Sequence, residues 1–160
     1  MSDVPKILSL HLLKSIQMLE NIVTTCPNDL WHGQSESKSI SKRLLHTLES
    51  IDYWFDDFSE YHFSKLFKGM SPEMDIDNGM LVNKESMIKY LEIIKSKAIE
   101  YFNEIASIDI SRNSGKHSNI TILDIVLCQI RHVQINVGYC SEKYCNQGLK
   151  GIEWLGHNEG

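Results

Sequence analysis

Proline is scarce in this chain. Only Pro5, Pro27 and Pro72 occur in 160 residues, so long stretches contain nothing that would break a helix. The four cysteines, Cys26, Cys128, Cys140 and Cys145, show no C-x-x-C spacing, which argues against a zinc ribbon or a redox dithiol and is economically read as reduced thiols in a cytoplasmic protein. No block of Lys or Arg breaks a formal net charge of -5, so the electrostatic footprint of a nucleic-acid binder is missing. No apolar run approaches the ~20 residues a membrane span needs, and the first residues lack the basic segment and cleavage site of a signal peptide. Neither a phosphate-cradling glycine loop nor a serine nucleophile elbow is present.

What the chain does contain is helical periodicity. Leu8, Leu12, Ile16, Leu19 and Val23 make one stripe, and Ile40, Leu44, Leu48, Ile51 and Phe55 make a second. Met87, Leu91, Ile94, Ala98, Tyr101 and Ile105 form a third, at alternating steps of four and three. The fourth gathers Ile122, Ile125, Val126, Ile130, Val133, Val137, Cys140 and Tyr144 on one face at about 100° per residue. These stripes predict helices over about 5–26, 38–58, 84–107 and 120–147, with Ser37 or Ser39, Asn83 and Asn119 as caps. Residues 27–36 read as a connector with Trp31 as its anchor and Gly33 at a turn, and 59–82 as a long irregular segment that packs along the helices or covers the mouth of a site. The fold class expected is all-α, a single-domain four-helix bundle, for which a homodimer is the default association.

Of seven histidines, His132 stands out. It borders the apolar face of the last helix, and Asn136 follows one turn later, the i, i+4 spacing at which a helix offers two donors to one metal ion. An amide oxygen is a poorer partner than imidazole for zinc, nickel or copper. His46 lies off the apolar stripe of its helix, so periodicity alone leaves it on a flank or at the surface. Asp52 reads most simply as a solvated or salt-bridged carboxylate.

Three segments resemble a known family. Leu44-Leu45-His46-Thr47-Leu48-Glu49-Ser50-Ile51-Asp52-Tyr53-Trp54-Phe55 resembles the second-helix signature of the DinB/YfiT-like metalloenzymes. Arg131-His132-Val133-Gln134-Ile135-Asn136-Val137-Gly138, with Trp154 downstream, is similar to their last-helix signature, R-H-x-Q-H-H-V-G, and Asn83-Lys84-Glu85-Ser86 with Tyr90-Leu91 resembles the start of their third helix. The resemblance implies an up-down-down-up four-helix bundle that holds a divalent metal (Zn, Ni or Mn) through one His of helix two and two of helix four. Carried onto this chain, the ligands are His46, His132 and Asn136, with Asn136 standing where the pattern has His. It further implies a small-molecule substrate and metal-dependent transfer of a low-molecular-weight thiol, an S-transferase activity in which a Lewis acid stabilises the thiolate. The competing expectation is a metal-free binding or stress-response bundle of the same fold.

Overall fold

The computed structural model describes residues 4–33, 39–56, 61–76, 79–116 and 119–156. Among these every regular element is helical: α1 (Val4–Thr25), the short α2 (Asn28–His32), α3 (Ile40–Phe55), a 3-10 turn (Lys65–Phe67), α4 (Lys84–Ile105) and α5 (Ile122–Asn146). No helix of the described residues is long and apolar enough to cross a membrane.

Local chemistry sets the helix ends. Ser39 accepts a hydrogen bond from the Lys42 amide to start α3, and the Asn83 side chain accepts from the amides of Glu85 and Ser86 to start α4. The expected cap of the last helix, Asn119, is displaced by Thr121. Its hydroxyl accepts from the Asp124 amide while the Asp124 carboxylate accepts from the Thr121 amide, a reciprocal capping box that satisfies two orphan donors instead of one. Ser37 and Phe58, expected at the ends of the second helix, lie outside the described residues. In the first connector, Pro27 sits at the N-cap of α2, and Gly33 ends it at φ 63°, a left-handed conformation that favours glycine.

Every residue of the four predicted stripes is buried except Tyr101 and Ile130, which pack against the core while partly exposed. Trp31 is buried with them, its indole Nε1 donating to the Val82 carbonyl at 2.7 Å. That bond ties the first connector to the segment before α4. Helices α1 and α3 each pack against both α4 and α5. Ser15 meets Gln134 and Thr25 meets Tyr144, so α1 and α5 run in the same sense. Arg43 faces Asn136 and Ser50 faces Gln129, so α3 opposes α5. Glu20 reaches Lys95 while Pro5 and Ala106 line one cleft, so α4 opposes α1.

Candidate functional site

Helix α3 buries more than one flank because it lies between α4 and α5. Its apolar stripe faces the core, and a second face one step round meets α5 across a polar seam of three rungs. Arg43 pairs with Asn136, His46 with His132, and Ser50 with Gln129, in the order that two antiparallel helices require. His46, which periodicity left on a flank, is therefore half-buried and turned toward α5.

The two imidazoles sit edge to face, with ring centres 5.1 Å apart at 83°. Burial pushes the pKa of His46 below its ordinary value. The Arg43 and Lys42 charges push the same way, while a bond to the Pro72 carbonyl and the Glu73 charge pull back. His132 is also lowered, first by burial and then by His46 and Arg43. Both shifts favour the neutral form of the ring.

Asn136 is buried, and both ends of its amide are engaged. Its Nδ2 donates to the His132 carbonyl at 2.8 Å, and its Oδ1 accepts from Arg43 Nη1 at 3.4 Å. The opposite orientation would set a donor against a guanidinium and an acceptor against a carbonyl. The Arg43 guanidinium also lies 4.1 Å from the Tyr139 ring centre, a cation-π stack that holds it beside the two histidines.

These side chains answer whether the expected ligand set fits a divalent ion. Two imidazoles on one tetrahedral ion, with metal-nitrogen bonds of ~2.1 Å, have ring centres roughly 5 Å apart, which the pair of histidines matches. The third position does not fit. The Asn136 oxygen faces a fixed cation, and among the described residues no group of three or more His, Cys, Asp or Glu is placed to hold a metal ion. A divalent charge there would meet the Arg43 guanidinium at the third position, and the Glu73 carboxylate, which acts on His46, is not one of the three ligands.

Asp52 is structural. It accepts from the Tyr90 hydroxyl at 2.7 Å and from Lys97 Nζ, which also binds Asp56 at 2.6 Å. Glu49 accepts from Tyr61 at 2.9 Å, and burial raises its pKa. Residues 71–76 of the long segment pack on the site's side of α3, where Lys42 Nζ donates to the Ser71 carbonyl and, at 3.0 Å, to that of Ile76. Sequence reasoning missed Arg43, Lys42 and Tyr139. The signal was available for two of them, since Arg43 precedes His46 by three residues and Tyr139 follows Asn136 by three, one helical turn in each case. A separate cleft of about 210 Å³ lies between α1, α5 and the tail, lined in part by His11, Lys14, Gln134 and Trp154, and shares none of these residues.

Compared with family models, curated proteins and solved structures, the chain matches none.

Proposed function

We propose that this chain is a four-helix bundle of the up-down-down-up, DinB/YfiT-like kind that works as a metal-free binding protein for a small molecule. The helix senses given above support the architecture, since α1 and α5 run one way and α3 and α4 the other. The observation that carries the functional reading is the Arg43 guanidinium on Asn136, which gives the site a fixed positive charge where the resemblance expects a third metal ligand. The proposal keeps the cytoplasmic location and homodimeric state expected from the sequence.

A second reading, metal-dependent transfer of a low-molecular-weight thiol, is favoured by the 5.1 Å spacing of His46 and His132. The two separate on the metal content of protein purified without an affinity tag. The binding reading predicts substoichiometric zinc, nickel and manganese, unchanged in His132→Ala. Stoichiometric metal that disappears in His132→Ala would overturn it.

A further inference from the structure

The groove between α1 and α4 lies on the opposite side of the bundle from the α3–α5 seam, since α1 and α3 each pack against both α4 and α5. Part-way along, Lys95 of α4 bridges it to Glu20 of α1 at 2.7 Å. Toward the start of α1 and the end of α4 it opens into a cleft of about 590 Å³, within the ~300–1,000 Å³ usual for small-molecule sites. Its walls are Pro5, Ile7, Leu10 and Leu13 on one helix and Phe102 and Ala106 on the other. From Pro5 to Leu13 the wall runs ~12 Å at 1.5 Å per residue. Ile7 is left 46% exposed, so apolar surface in the cleft still meets water, and covering it is favourable.

The charge around the cleft is one-sided. Among the described residues that line it, Lys6 carries the one charge, and Ser9 and Asn103 are the other polar groups. Past Pro5 and Ala106 an adjoining hollow of about 440 Å³ is bordered by Asp109. That carboxylate is already engaged, accepting from the Ser111 amide and hydroxyl. An apolar trough with a single ammonium at its lip suits a molecule that is apolar along its length and negative at one end.

We propose that this cleft binds a single-chain amphiphile with a carboxylate head, a medium-chain fatty acid. The tail lies along the groove toward Leu13 and the head meets the Lys6 ammonium. The inference stands whether or not the α3–α5 seam holds a metal.

The test is a titration of the full chain with hexanoate, octanoate and decanoate, below their micellar concentrations and at constant ionic strength. The methyl resonances of Ile7, Leu10 and Leu13 are followed by ¹³C-resolved NMR. They should shift saturably, and affinity should rise roughly three- to fourfold for each methylene added. Lys6→Glu should weaken octanoate by roughly threefold or more and leave neutral octanol unchanged. Ala106→Trp, a change at an exposed position, fills the cleft and should abolish binding. Methyls that do not respond, an affinity indifferent to chain length, or full affinity in Ala106→Trp would overturn the proposal. So would a Lys6→Glu variant that binds octanoate as well as the wild type. Methyl shifts that follow protein concentration without any fatty acid would give the cleft to a second copy of the chain, and overturn it equally. The wild-type chain-length series decides alone if a variant fails to fold.

Discussion

Removing the ammonium of Lys97 would strand a carboxylate. The Asp52 side chain is 9% exposed and draws on Lys97 and the Tyr90 hydroxyl for its partners. Breaking a buried pair from one side costs more than the pair contributes, because the remaining charge stays desolvated. Lys97→Met should therefore lower unfolding free energy by about 2 kcal/mol or more, measured by urea denaturation, and Lys97→Met/Asp52→Asn should recover part of the loss. The thiols allow a second check at the same scale. Cys26 and Cys140 are buried, and burial pushes the Cys140 pKa up to about 12, whereas Cys128 and Cys145 are exposed. A thiol reagent should label Cys128 and Cys145 quickly in the native protein and reach Cys26 and Cys140 only on unfolding.

At the scale of elements, the apolar stripes made the four long helices legible because burial of Leu, Ile and Val repeats at the helical period. The α3–α5 seam was not legible in that way. It is built from Arg43, His46, Ser50, Gln129, His132 and Asn136, polar residues that leave no hydrophobic signal while facing a neighbouring helix. Spacing singled out His132 and Asn136, and resemblance supplied His46. Neither disclosed Arg43, because a cation reads as a solvated surface residue until its neighbour across the seam is known. The start of α5 was misassigned for a different reason. Asn119 and Thr121 can both cap, and Thr121 wins through Asp124 three residues on. Thr121→Ala should cost about 1 kcal/mol, visible as a lower urea midpoint with an unchanged slope.

Across the whole molecule, the two depressed histidines link stability to pH. Above the unfolded imidazole value of about 6.5 both states are neutral, and the histidines impose no penalty. As pH falls below that value the unfolded chain takes up protons before the folded one, so stability declines until the lowered folded values of His46 and His132 are passed. The urea midpoint should be lower at pH 5 than at pH 7.5, and the difference should shrink in His46→Gln/His132→Gln. Glu49, whose pKa is raised by burial, works in the opposite sense. The comparison of variant with wild type isolates the imidazoles from it.

The central claim is that Arg43, and not a metal ion, supplies the positive charge between α3 and α5. Calorimetric titration of zinc into the wild-type chain and into Arg43→Gln/Asn136→His tests it most directly. The account predicts weak or absent binding to the wild type, and an affinity at least roughly tenfold higher once the guanidinium is gone and a third imidazole is present. Tight stoichiometric zinc binding by the wild type, lost in His132→Ala and no stronger in the double variant, would contradict it.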